Sequence, residues 1–181
     1  MEPVWRPKSQ VVRSRIDPNF VSWLLDTSSL TERLMNYCPG GFSVKVLHQA
    51  WELPMMNEAK RLNIPSRTYA LVRQVHLLCN DHPVVYARTI IPSQSLRGKQ
   101  RRLSRLGQKP LGAVLFADKS MQRTEMELAY ITPVQAPYRE ATLYLPEASL
   151  PIWGRRSVFY LQHQPLLVSE IFLPTITNCS R

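Results

Sequence analysis

The sequence predicts an α+β fold: a single domain on a mainly antiparallel β-sheet, helices grouped on one side, and flap-like helical or loop segments over a buried ligand pocket. Three observations carry this. Strand-like segments follow one another through short turns, as in antiparallel sheets rather than βαβ units. The clear helical signals cluster apart from them, near the N-terminus. With 181 residues and 44% hydrophobic side chains the chain can bury one sizeable core, and no linker divides it.

Asp17 and Pro18 read as an N-cap and a first helical residue, opening a short helix over "NFVSWLLD". Ser29 to Glu32 has the spacing of a capping box and opens a second helix through "RLMNY", ended by Pro39-Gly40-Gly41. "FSVKVLHQAWEL" alternates as a strand. "TYALVRQVHLLC" and "PVVYARTII" flank a turn at Asn80-Asp81-His82 and form a hairpin. Pro92 and Ser93 open a basic helix that ends near Gly107. "PLGAVLFAD" is ambiguous, with a short helix as one reading. "MELAYI" and "ATLYL" are weaker strand candidates, and Pro133, Pro137, Pro146 and Pro151 mark loop or flap structure between and after them. "SVFYL", a turn at His163-Gln164 and "LLVSEIFL" make a closing hairpin.

The formal net charge is +10, which fits a nucleic-acid binder, a protein with a small anionic substrate, or a merely basic surface. The densest run holds Arg97, Lys99, Arg101, Arg102, Arg105 and Lys109. A solvated helix face is the favoured reading, because no aromatics are interleaved for base stacking; no nucleic-acid partner is expected. No run approaches the ~18 apolar residues of a membrane span, and the basic N-terminus lacks the apolar core of a secretory signal. Cys38, Cys79 and Cys179 are widely spaced without a CxxC, and are expected as reduced thiols of a cytoplasmic protein. His48, His76, His82 and His163 have no metal-ligand spacing, and no GxGxxG, Walker or GxSxG pattern occurs, so neither metal nor cofactor is expected.

Three charges fall on apolar strand faces. Strand side chains alternate, so Glu170 shares a face with Leu166, Val168 and Phe172. Arg73 shares one with Tyr69, Leu71, Val75 and Leu77, and Arg88 with Val84, Tyr86 and Ile90. A structural ion pair or a solvent-facing surface accounts for any one of them. Taken together, two arginines against one glutamate leave a positive charge over, and an apolar pocket with surplus positive charge suits a small organic anion gripped by its carboxylate. Arg155 and Arg156 read as a strand-entry anchor rather than an anion contact.

"SLTERL", "ARTIIP", "LGQKPLGAVLF" and "WGRRSVFYLQHQPLLVSEIFLP" occur in an order and at spacings that resemble chorismate pyruvate-lyase. This family converts chorismate to 4-hydroxybenzoate and pyruvate at the opening of bacterial ubiquinone biosynthesis. The resemblance runs over 17–174, which leaves 1–16 as an N-terminal extension and 175–181 as a C-terminal tail. It implies a substrate-binding arginine at Arg73, a site glutamate at Glu170, a further pocket arginine at Arg88, and main-chain contacts to the ligand carboxylate at Leu30 and Leu111. Family members often carry methionine where Leu30 stands, which a main-chain contact tolerates.

The family's reaction needs no cofactor, its partners are chorismate and 4-hydroxybenzoate, and a cytoplasmic monomer is the expected form. Glu170 is left as hydrogen-bond partner of the ring hydroxyl or as general base; Arg88 would orient it or stabilise charge on the departing enolpyruvate. The segment from about Thr132 to Leu150 is longer than in the family and is expected as flap or edge structure. The competing reading is an aromatic-carboxylate sensor related to the effector domains of GntR-type regulators. Those normally follow a winged helix, for which the residues before Asp17 are too few.

Overall fold

Alternation and turn chemistry set the sheet. In the computed structural model, which describes residues 1–65, 67–143, 145 and 151–177, β1 (Arg6–Pro7), β2 (Phe42–Glu52), β3 (Ala70–Cys79), β4 (His82–Pro92), β5 (Gln122–Arg123), β6 (Glu127–Ile131), β7 (Ile152–Leu161) and β8 (Gln164–Phe172) form one sheet. Its order is β1-β6-β7-β8-β4-β3-β2, with β5 also on β7. Every pairing is antiparallel. The β3–β4 and β7–β8 hairpins turn at Asn80-Asp81 and Gln162-His163, all at positive φ, the backbone of tight hairpin turns.

The helices are short: α1 (Pro18–Leu25), α2 (Leu30–Tyr37), α3 (Met56–Arg61), α4 (Leu111–Ala117) and α5 (Ala136–Ala141). The predicted caps are present. Asp17 accepts from the Asn19 N–H at 2.9 Å, and Ser29 from the Glu32 N–H at 3.3 Å. The helices α1, α2 and α4 sit together on one sheet face, where Trp23, Leu24, Leu30 and Leu34 pack on Val75, Leu77 and Phe172, and Leu111 and Leu115 on Leu71, Phe159 and Val168. On the other face, α5 contributes Tyr138 and Ala141 to a core with Tyr86, Ile131 and Ile171, and Glu58 of α3 reaches Arg88. Segments beyond 17–174 join the same body: β1 pairs with β6, and Ile16 and Ile176 are in the core.

Three local expectations are corrected, and α3 stands where none was made. The basic segment is not an α-helix but 3-10 turns over Ser93–Ser95 and Gly98–Arg105; Gly98 at φ +54° interrupts it, while its cations stay exposed as expected. The described part of "ATLYL" is not a strand: Ala141 ends α5, and the Thr142 N–H and hydroxyl both bond back to the Tyr138 carbonyl, while Tyr144 lies outside the described residues. The helix α3 had no strong periodic signal over its six residues. Cys38 and Cys79 are not free thiols but a disulfide. The end of α2 lands beside the end of β3 with Cα atoms 5.6 Å apart across 41 residues, a proximity that spacing rules cannot register. Cys179 lies outside the described residues.

Candidate active site

Strand registers assemble the site row by row. One row crossing the sheet runs Arg73, Thr89, Val168, Ser157, and the next on the same face runs Val75, Ala87, Glu170, Arg155. With Leu30 and Thr31 of α2, Leu111 and Gly112 of α4, and Arg123 of β5, they line a cavity between the sheet and the α1–α2–α4 layer. The structure thus brings Arg73, Glu170, Leu30 and Leu111 together. Leu30 and Leu111 are the first residues of their helices, where N–H groups have no partner within the helix.

Arg88 is not with them. Between the two cavity rows lies the row Gln74, Arg88, Ser169, Arg156, which points to the other face. There the Arg88 Nε donates to Glu58 Oε1 at 2.8 Å and its Nη2 to Glu58 Oε2 at 3.2 Å. Glu140 of α5 stands 3.9 Å away and accepts from the Tyr86 hydroxyl at 2.6 Å. The expectation of a pocket arginine at this position is therefore corrected: its strand parity is opposite to that of Arg73. The described part of the 132–150 segment, anchored by Glu140 and by Ala141, whose carbonyl is 3.0 Å from His76 Nε2, covers this second face rather than the cavity.

Arg155 takes the place next to Glu170. Only 1% exposed, it bonds Glu170 Oε2 through Nε at 2.5 Å, and Nη1 donates to the carbonyls of Trp23 and Asp26 at 2.8 and 2.5 Å. One guanidinium thus fixes the glutamate and the end of α1 together. Arg73, 2% exposed, donates from Nη2 to the carbonyls of Gly107 and Lys109 at 2.7 and 3.3 Å; its buried Nε has no partner among the described residues. Burial lowers the pKa of Arg73 and, as the largest cause, that of Arg123, as expected for guanidiniums without a matching anion. The cavity lining carries three arginines and one carboxylate, an excess of two positive charges.

The α1–α2 loop that roofs the site is held by Asp26. Partial burial raises its carboxyl, but hydrogen bonds from Ser28 and Arg33 outweigh this and hold it below the ordinary carboxylate value. The Ser28 N–H and Arg33 Nη1 each donate at 2.8 Å. A depressed folded pKa stabilises the protein above the unfolded value of about 3.9, and the contribution is lost as pH falls through the folded one. Asp26→Asn is therefore expected to lower the melting temperature at pH 7, with the gap to wild type closing below about pH 4. A gap unchanged down to pH 2.5 (roughly an unfolded-state carboxylate fully protonated) would show that the charge is not what holds the loop.

Among the described residues no group of His, Cys, Asp or Glu side chains stands together as a metal site, and no helix is long and apolar enough to cross a membrane. The chain matches the family model described as chorismate lyase over residues 2–180. It is 40% identical over 154 residues to a "Probable chorismate pyruvate-lyase" of Nitrosomonas europaea, covering 85% of this chain and 86% of that one. It is 39% identical over 157 residues to the protein of the same name from Methylococcus capsulatus, covering 87% and 96%. Solved structures share the fold at low identity. PhnF from Mycobacterium smegmatis is 18% identical at TM-score 0.57, over 83% of this chain and 65% of that one. The ligand-binding domain of a putative GntR-family transcriptional regulator from Bordetella bronchiseptica is 17% identical at TM-score 0.55, over 74% and 84%.

Proposed function

The chain belongs to the chorismate lyase family, and we propose that it cleaves chorismate to 4-hydroxybenzoate and pyruvate, an early step of ubiquinone biosynthesis. The observation that carries the reading is the cavity's excess of two positive charges beside a single fixed carboxylate. Chorismate bears two carboxylates, one on the ring and one on the enolpyruvyl ether, and a hydroxyl on the ring carbon next to the ether.

In this reading the ring carboxylate meets Arg73, through the Nε that no protein group uses, and the main-chain N–H groups of Leu30 and Leu111. The ring hydroxyl meets Glu170, already aimed by Arg155. Breaking the C3–O bond sends its electron pair to the ether oxygen while the C4 proton leaves to a base, and the new C3=C4 double bond completes an aromatic ring. Aromatisation supplies the driving force, so positioning and electrostatics are what the protein contributes. Glu170 is the carboxylate placed to take the C4 proton. Arg88 has a structural role in this reading, behind the strand that carries Ala87.

A monomer is the working unit in this proposal. A cytoplasmic location belongs to the same proposal; the Cys38 and Cys79 sulfurs, in residues 2% and 0% exposed, are sheltered there from thiol reductants, whose attack requires access.

The test is to mix protein and chorismate without added metal or nucleotide and follow both products. Equimolar 4-hydroxybenzoate and pyruvate are expected. Absence of turnover together with tight hydroxybenzoate binding would make the cavity a sensor's instead. Glu170→Gln is expected to cut kcat by about 10²–10⁴-fold, the usual contribution of a positioned base; a variant that keeps most of the turnover would leave Glu170 as a hydrogen-bond partner only.

A further inference from the structure

The cavity's cations are not equivalent. Arg155 is matched to Glu170, whereas neither Arg73 nor Arg123 has a carboxylate partner among the described residues. Yet Arg123 is held in place. Its Nε donates to Ser157 Oγ at 3.0 Å and its Nη1 to the Thr27 carbonyl at 3.1 Å, and the guanidinium lies 5.1 Å from the Phe159 ring centroid. Two neutral oxygens and an aromatic face orient the group without neutralising it, and its Nη2 has no acceptor among the described residues.

Its position in the sheet matters as much. Ser157, which holds Arg123, ends the row that begins at Arg73 and passes through Thr89 and Val168. Arg73 thus stands at one end of this row, and Arg123, on β5 beside β7, reaches its other end through its side chain, so the two unmatched arginines line the cavity from opposite sides. Their strands, β3 and β5, are four spacings or about 19 Å apart at the backbone, which two inward-reaching arginines shorten to the span of a small substituted ring. Glu170 lies between them, one row along.

We infer that Arg123 binds the second carboxylate of the substrate, the one on the enolpyruvyl group, and so separates the dianionic substrate from the monoanionic aromatic product. The inference rests on the chorismate reading of the site. In the reaction the C3–O electron pair passes to the departing enolate, the proton lost from C4 goes to the base, and protonation of the enolate carbon yields pyruvate. A guanidinium on that fragment's carboxylate holds it at the start and is close to the charge as it forms, with a bidentate grip available. Once pyruvate leaves, Arg123 has no contact with the ring carboxylate or the phenol.

The experiment compares two ligands on three proteins: wild type, Arg123→Gln and Arg123→Lys. Steady-state kinetics on chorismate are set beside equilibrium titration with 4-hydroxybenzoate, with thermal melts confirming that each variant is folded. For Arg123→Gln, kcat/KM should fall by about 10²–10³-fold, the usual loss on removing one such charged contact, while the 4-hydroxybenzoate Kd moves by less than about 3-fold, the scale of an untouched contact. Arg123→Lys should recover part of the loss, since it keeps the charge but not the fork. An equal loss of 4-hydroxybenzoate affinity, or an unchanged kcat/KM, would overturn the inference. If wild type itself fails to turn over chorismate, the lyase reading fails on its own; titrating chorismate as a mere ligand then still decides whether Arg123 discriminates two carboxylates from one.

Discussion

Arg73→Ala is expected to lower kcat/KM for chorismate by about 10–10²-fold and to weaken 4-hydroxybenzoate by a similar factor, because a hydrogen bond to a charged group is worth ~1.5–3 kcal/mol and the one from Nε would be lost. Both ligands carry the ring carboxylate, so both should suffer; that is the contrast with Arg123. Part of the effect will be indirect. Arg73 Nη2 also ties down the carbonyls of Gly107 and Lys109, just ahead of Leu111, and alanine frees that turn. Arg73→Lys separates the contributions, since it retains a charge while losing the planar fork. The measurements are chorismate kinetics and product titration in parallel, and intact product affinity in Arg73→Ala would remove Arg73 from the carboxylate end.

Arg88→Ala should act on stability. Burial opposes the charge on Arg88, but the hydrogen bonds and field of Glu58 outweigh it and raise its pKa. The partners are 8% and 2% exposed at their side chains, so alanine leaves the buried Glu58 carboxylate without its paired cation, holding only the Met55 N–H. Breaking a buried pair from one side costs about 3–5 kcal/mol, or a melting-temperature drop of roughly 6–20 °C at 2–4 °C per kcal/mol for a chain of this size. Replacing both residues with methionine should recover much of the loss, because the penalty lies in the unpaired charge more than in the missing attraction. If the single variant melts within about 2 °C of wild type (less than 1 kcal/mol), the carboxylate has found water or another partner.

These residues show what was legible in the sequence. Alternation grouped Glu170 with Val168 and Arg73 with Val75, and those groups do share the cavity face. Alternation also grouped Arg88 with Tyr86 and Ile90, again correctly, but it cannot say which side of the sheet a group occupies. That depends on register, and Arg73 is opposite Thr89, not Arg88. The resemblance supplied Leu30 and Leu111, which no local pattern marks as ligand contacts. Arg155 was visible in "GRRS" without a sign of which of the two arginines points inward. Arg123 gave no signal, since a two-residue strand has no alternation to read. The α+β class was the most legible level because it rests on many segments at once, whereas "ATLYL" turned on where one short helix ends and the Cys38–Cys79 link on a single long-range contact.

Two helix beginnings meet at the roof of the cavity, and a missing side chain lets them do so. A Cβ at Gly112 would stand 2.4 Å from the Thr31 hydroxyl oxygen and 3.3 Å from its Cβ. Thr31 is buried, so an added methyl must turn that hydroxyl or push α4 back from α2. The gap between the main-chain donors of Leu30 and Leu111 is thus set by a residue whose importance lies in what it lacks. On the proposed reading, this makes position 112 a gauge of acid size in the history of such a protein: drift there would retune which ring carboxylates are admitted while leaving arginines and glutamate unchanged.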